Sequence, residues 1–297
     1  MSPVGCEAWQ CKKTLLFMAK LGKFAIELKS ENIVQNMNCI DINDIIHIVK
    51  RASEIMLKAK FTISQKEGFS NIVTSSDLEI QNFLCQELEL LTPGCGFLCE
   101  EGDEQRTQGN DLIWIIDPID GTANFSRGIS DCCISVALKS KGEITHGVVY
   151  NPYKNELYQA EKGQGSYLNG NKLSVSDRVF ENGLLCTAMS LYNKQYAKVC
   201  SDIIYDAYMQ CNDVRRFGAC ALELCYMAAG TCDLYFEYRV LPWDYSAAYL
   251  ILREAGGVLV GRGGEPLGCD VPTMLIGANN QQNLERLLAI VNKHLKD

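Results

Sequence analysis

The sequence predicts a mixed α/β fold in which sheets are layered with helices. Three observations predict it. Early in the chain, Ile45, Ile46, Ile48, Val49, Ala52 and Ile55 recur at a helical period. Between residues 97 and 175, short apolar and β-branched runs are separated by Gly, Asn and Pro turns. Beyond residue 183, strand-like and helix-like segments alternate.

Taken in order, residues 1–38 read as an N-terminal extension of unassigned role, with a short amphipathic helix over 15–28. The first core helix covers 41–60, capped by Asp41 or Asn43. A strand at 61–65 follows, and 71–75 leads into a second helix, 77–91, stopped by Thr92-Pro93-Gly94. Strands are expected at 97–99, 112–116, 132–139, 144–150 and 156–160. Residues 163–170 read as a turn-rich linker into 172–175. Then come strand 184–189, helices 195–209 and 219–229, strand 233–237 and helix 245–255 ended by Gly256-Gly257. Strands near Val258 and over 274–278, and a helix over 282–295, close the chain. The division this suggests is the extension 1–38, an N-terminal α/β half 39–183 and a C-terminal α/β half 184–297.

Composition excludes several classes of function. With 47% apolar and 22% charged residues, the chain is that of an ordinary globular protein. A net charge of −8 and the lack of a long Lys/Arg block argue against general nucleic-acid binding. The fifteen cysteines are odd in number, scattered, and form no Cys-x-x-Cys pair. Several sit in apolar runs, so free thiols in a reducing cytoplasm are expected. The three histidines lie far apart, which disfavours zinc. Lys20 and Lys23 interrupt the most apolar stretch, short of the ~18 apolar residues a membrane span needs.

Chemistry concentrates in Trp114-Ile-Ile-Asp117-Pro-Ile-Asp120-Gly121-Thr122. Pro118 disfavours helical geometry at Asp117, so the strand is expected to run out at that carboxylate. Two carboxylates at a strand end, beside free N–H groups where Gly121-Thr122 opens a helix, make a place for hard cations and a phosphate. A plain Asp-Pro-x-Asp-Gly surface turn is the alternative for this segment alone. Glu100-Glu101 also follows an apolar run, although Gly102-Asp103-Glu104 would suit a solvated acidic loop. Asp77 and Asp244 each precede a helix, where capping is the commonest job for Asp. Glu237 is the lone charge in Leu234-Tyr-Phe-Glu237-Tyr.

Together, Glu-Glu, then Asp-Pro-Ile-Asp-Gly-Thr, then Trp-Asp, in that order, resemble the inositol monophosphatase family of magnesium-dependent, lithium-sensitive sugar phosphatases. The resemblance runs from about Asp41 to the C-terminus. It takes in Arg215-Arg-Phe-Gly218-Ala-Cys-Ala-Leu222 and Trp243-Asp244-Tyr-Ser-Ala-Ala-Tyr-Leu-Ile-Leu-Arg-Glu254-Ala-Gly-Gly257. It implies a five-layer α/β/α/β/α sugar-phosphatase fold, a homodimer, and two to three Mg²⁺ ions. One ion would be held by Glu100, Asp117 and the Ile119 carbonyl, a second by Asp117, Asp120 and Asp244. Glu100 would reach a weaker third, with Glu101 in support. Phosphate would lie on the Gly121 and Thr122 amides. Water would be activated by Glu100 and by Thr122, oriented through Asp77, while Lys66 would help order the metal site. Glu237 stands seven residues before Asp244, the spacing at which inositol phosphatases set a carboxylate on ring hydroxyls. Cys220 falls against the same ring, where relatives carry a small residue pair, often hydroxyl plus Ala, so the polyol stays open. The implied activity is phosphomonoester hydrolysis of an inositol monophosphate or a similar polyol or sugar phosphate. Fructose 1,6-bisphosphatase and 3′(2′),5′-bisphosphate nucleotidase activities are alternatives on the same fold. So is a regulatory member that binds protein with little turnover.

Overall fold

A computed structural model describes residues 40–59, 63–65, 72–102, 107, 109–189 and 193–295. The extension 1–38 and Lys66 lie outside the described residues. Helix α1 (Ile42–Lys58) buries Ile45, Ile48, Val49, Ala52 and Met56, the face that its period predicts. Strands β1 (Ile63–Gln65) and β2 (Ile72–Thr74) form an antiparallel pair. Helix α2 (Ser75–Leu91) packs on α1 and starts two residues before its expected first residue. Asp77 is therefore inside the first turn and is not its cap. The helix stops as expected: the Thr92 hydroxyl donates back to the Leu88 carbonyl at 2.9 Å, and Gly94 turns at φ +82°.

Strands β3 (Gly96–Cys99) and β4 (Leu112–Asp120) run parallel, with Cys99 opposite Ile116. Strand β4 does not end at Asp117; it continues through Pro118 to Asp120. The next strand, β5 (Cys133–Ser140), supplies the reason. Asp117 lies opposite Ser135 and Asp120 opposite Cys133, so three steps on β4 face two on β5. That bulge absorbs Pro118, which has no N–H to donate. Between the two strands, α3 (Thr122–Phe125) is a single four-residue turn.

The sheet continues as a meander through β6 (Glu143–Asn151), β7 (Glu156–Glu161), β8 (Ser166–Leu168) and β9 (Asn171–Lys172). Strand β8 occupies what reads in sequence as a linker. The glycines there turn the chain tightly enough for β8 to pair back on β7.

The second sheet contains β10 (Leu184–Ala188), followed by helix α4 (Ala197–Tyr208) and β11 (Asp213–Arg215). Strand β11 is not legible in sequence, being three residues with two charges at a sheet edge. Helix α5 (Cys220–Ala228), β12 (Leu234–Val240), helix α6 (Pro242–Glu254), β13 (Val258–Val260), β14 (Thr273–Ala278) and helix α7 (Gln281–His294) complete it. The strand order is β11-β10-β12-β14-β13, with β10 parallel to both neighbours and β14 antiparallel to both of its own. Helix α6 begins at Pro242, a good first helical residue, three residues ahead of expectation.

Two cores fix the layer order. One gathers Ile115, Ala137 and Val149 of the first sheet, most of α5 and α6, and Tyr235 and Leu275 of the second. The other gathers the opposite face of the second sheet with Ile203 of α4 and Leu287 of α7. Helices α1 and α2 pack on the outer face of the first sheet. The result is helix pair, seven-stranded sheet, helix pair, five-stranded sheet, helix pair: five layers, all within residues 42–297. The central pair α5–α6 thus touches both sheets, and strand ends from each meet at its N-terminal end.

Candidate active site

Parallel pairing sets the first carboxylates side by side. Glu100 follows the last residue of β3, and its N–H donates to the Ile116 carbonyl at 3.2 Å, next to Asp117. Asp117 Oδ1 accepts the Ile119 N–H at 3.0 Å, a local turn that the bulge makes possible. Glu101 is tied by Gln81 of α2, whose amide donates to the Glu101 carbonyl at 2.6 Å and accepts its N–H at 2.8 Å. Gln81 lies four residues after Asp77, so both share a helix face. The Thr122 hydroxyl stands 3.0 Å from the Ile119 carbonyl and 3.4 Å from Asp77 Oδ1.

The second half of the site comes from α5, α6 and β12. Asp120 accepts the Cys220 N–H at 3.2 Å and the Ala221 N–H at 2.7 Å, both from the first turn of α5. Asp244 accepts the Leu241 N–H at 2.7 Å, so it closes its helix start from the third position rather than capping it. Glu237 accepts the Tyr235 hydroxyl at 2.7 Å. Gly121 (φ +85°) cannot take a side chain: a Cβ there would lie 2.9 Å from the Asp131 carbonyl and 3.2 Å from Ala219 Cβ. Its carbonyl receives the Asn124 and Phe125 N–H groups, and the turn's first amides have no intrahelical partner by construction.

Electrostatics single this cluster out. Burial pushes Asp117 well above the usual carboxylate range, and the charges of Glu100, Asp120 and Asp244 push it further. Burial raises Asp120 to about 7 against the pull of its Ala221 and Cys220 N–H bonds. Asp244 is raised by burial and then by Glu100. Among the described residues, no lysine or arginine stands among the main influences on these three groups. Buried like charges without a counter-charge are costly, and a divalent cation is the compensation that fits an all-oxygen donor set. Among the described residues, no group of three or more Asp, Glu, His or Cys side chains is arranged to hold an ion as it stands. The fit therefore rests on donor chemistry, burial and uncompensated charge.

Three residues of this site carry no sequence signal of their own kind. Tyr235 is legible only as the strand neighbour, two residues away, of Glu237. Gln81 is legible only through its helical spacing from Asp77. Glu223 is the lone acid in the apolar helix α5. It is 1% exposed and accepts the Phe217 and Gly218 N–H groups at 2.6 and 2.9 Å, fixing the loop that leads to Cys220.

Burial raises Glu223 to about 8 from an ordinary 4.5. Between those values the folded state holds a proton that the unfolded state has lost, so stability falls as pH rises through the window. Glu223→Gln keeps the acceptor and removes the proton. Urea titrations between about pH 5 and 8 should then lose up to about 1.4 kcal/mol per pH unit less stability than wild type. An unchanged slope would contradict the assignment.

A family model described as the inositol monophosphatase family matches residues 37–296. Nus factor SuhB of Escherichia coli (strain K12) is 36% identical over 197 residues, covering 66% of this chain and 74% of that protein. The solved Thermotoga maritima IMPase TM1415 superposes with a TM-score of 0.75 at 30% identity, covering 84% of this chain and 95% of that one. An IMPase/NADP phosphatase solved in complex with Mg²⁺ and phosphate gives a TM-score of 0.74 at 25% identity, covering 84% and 92%.

Proposed function

The chain belongs to the inositol monophosphatase family, and on that premise we propose that it is a metal-dependent phosphomonoesterase of inositol monophosphate or a similar polyol or sugar phosphate. The observation that carries the reading is the buried cluster of Asp117, Asp120 and Asp244, three acids with no basic residue among their main influences within the described residues. The relative in complex with Mg²⁺ and phosphate supports magnesium as the cation. Glu100, Asp117 and the Ile119 carbonyl would hold one ion; Asp117, Asp120 and Asp244 a second; Glu100, with Glu101 behind it, a weaker third. When bound, the ions supply Lewis-acid stabilisation of phosphoryl charge and acidify water.

The remaining steps belong to the chain itself. The Gly121 and Thr122 amides bind phosphate oxygens. The Thr122 hydroxyl, aligned by Ile119 O and Asp77, accepts a hydrogen bond from the attacking water, and Glu100 draws its proton away. Attack runs in line with the ester oxygen, with no covalently phosphorylated residue. Glu237 accepts a substrate hydroxyl, and Cys220 lines the same side. The family supports a homodimer. The twelve cysteines among the described residues are free thiols, which supports a reducing compartment such as the cytoplasm.

Phosphate release tests the reading with inositol 1-phosphate, fructose 1,6-bisphosphate, histidinol phosphate and 3′-phosphoadenosine 5′-phosphate, each with Mg²⁺, EDTA or added Li⁺. The expected result is release that needs Mg²⁺, stops in EDTA and is inhibited by Li⁺, fastest with inositol 1-phosphate. A second reading, a regulatory protein-binding member, draws support from the name Nus factor borne by the E. coli relative. Silence across the panel together with no Mg²⁺ binding by calorimetry would overturn the phosphatase reading and favour that one.

A further inference from the structure

Residues 235 and 237 of β12 lie on one face of the strand, the face turned toward α5. Tyr235 is 0% exposed, and its hydroxyl sits 2.7 Å from Glu237 Oε2 and 3.1 Å from Cys220 Sγ. A phenol has one proton and a carboxylate only accepts, so the shorter, charge-assisted bond takes that proton. The Cys220 thiol then donates to the phenol oxygen. The order is Cys220 Sγ–H to Tyr235 Oη, and Tyr235 Oη–H to Glu237 Oε2.

The same Cys220 donates its backbone N–H to Asp120 Oδ1, and Ala221 donates to Oδ2. The first turn of α5 therefore grips Asp120 through its backbone and Glu237 through Cys220 and Tyr235. One oxygen of Glu237 is committed to this chain of bonds, which restricts how the carboxylate can turn and so biases the direction of the other oxygen. Burial raises Glu237 to about 7, against the pull of the Tyr235 hydroxyl and of the Arg216 charge.

We propose that Tyr235 is a positioning residue for substrate choice. With Cys220 behind it, Tyr235 aims Glu237 at a substrate hydroxyl, and this chain sets the preference for phosphate esters of polyols over esters that carry no hydroxyl. The inference rests on the phosphatase reading above and deepens it. Tyr235→Phe deletes one oxygen and keeps the ring in its packing. Glu237 then loses its charge-assisted partner and the restriction on its turning, while the phosphate-binding turn and the Asp120 bonds stay in place.

The test compares kcat/KM for myo-inositol 1-phosphate with kcat/KM for p-nitrophenyl phosphate in wild type, Tyr235→Phe, Glu237→Gln and the double variant. The ratio should fall roughly 10- to 100-fold in Tyr235→Phe, chiefly through KM for the inositol ester. It should fall similarly in Glu237→Gln, and the double variant should fall no further, because both changes break one chain. Cys220→Ala, which removes only the outer donor, should lower the ratio by a smaller factor and serves if Tyr235→Phe does not fold. Equal losses on both esters, or losses that multiply in the double variant, would overturn the positioning role. Failure of the parent reading is separate: wild type would then release phosphate from neither ester. In that case calorimetry of inositol 1-phosphate with Mg²⁺ decides, and equal affinity of wild type and Tyr235→Phe overturns the inference.

Discussion

Asp117→Asn is expected to lower Mg²⁺-dependent phosphate release by about 10³-fold or more while raising the melting temperature of the metal-free protein. The two effects share one cause. Asp117 is 2% exposed and faces the charges of Glu100, Asp120 and Asp244, so its ionised form is expensive until a cation arrives. Asparagine keeps an oxygen for the Ile119 N–H and removes the charge. The gain should be about 1–2 kcal/mol, a rise of a few degrees in calorimetry. Added Mg²⁺ should stabilise wild type and leave the variant almost unmoved. A variant that melts below wild type in EDTA would mean that the charge of Asp117 is already compensated, and the cluster would then have no need of an ion.

The second large effect is mechanical. Gly147→Ala should destabilise the protein by about 3 kcal/mol, read as a lower urea midpoint. Gly147 lies on β6 directly opposite Ala137 on one side and Ala160 on the other. These three small residues form the floor on which α6 rests. A Cβ on Gly147 would come within 2.6 Å of the Ala247 carbonyl oxygen and 3.2 Å of its Cα. Those are backbone atoms of a buried helix, so the clash cannot be relieved by turning a side chain. The helix must rise, and Asp244 sits one turn earlier on it. Activity should therefore fall in the fraction that still folds, through weaker Mg²⁺ affinity. Unchanged stability would show that α6 can rise without loss.

The contrast between these two positions shows what can be read from sequence. Asp117, Asp120, Glu100 and Asp244 are legible only as a set, because Glu-Glu, Asp-Pro-Ile-Asp-Gly-Thr and Trp-Asp in that order resemble one family, while each alone suits a turn, an acidic loop or a cap. Their local contexts were only partly legible. Pro118 excludes a helix at Asp117 but not a strand, and whether a bulge accepts it depends on β5, a separate segment. Asp244 reads as a cap because the helix start at Pro242 is invisible to apolar periodicity. Gly147 carries no mark at all, since its necessity comes from Ala247, a hundred residues away. Tyr235 and Glu223 are similar: an aromatic residue in a strand and an acid in a helix acquire meaning only from the loop and helix packed against them. Long-range contact is what the linear pattern omits.

The Gln81 side chain has a consequence for how the molecule behaves among its own copies. Strand β3 is the outermost strand of the seven-stranded sheet, the position where an exposed backbone invites another chain to add itself. Just past it, the Gln81 carboxamide gives one bond to Glu101 and takes one, as the peptide group of an adjoining strand would. The rim of the sheet is thus sealed by a side chain at the point where the acidic residues begin. An incoming strand from a crowded neighbour would find that peptide already engaged, so the border that carries Glu100 and Glu101 is blunted at that point.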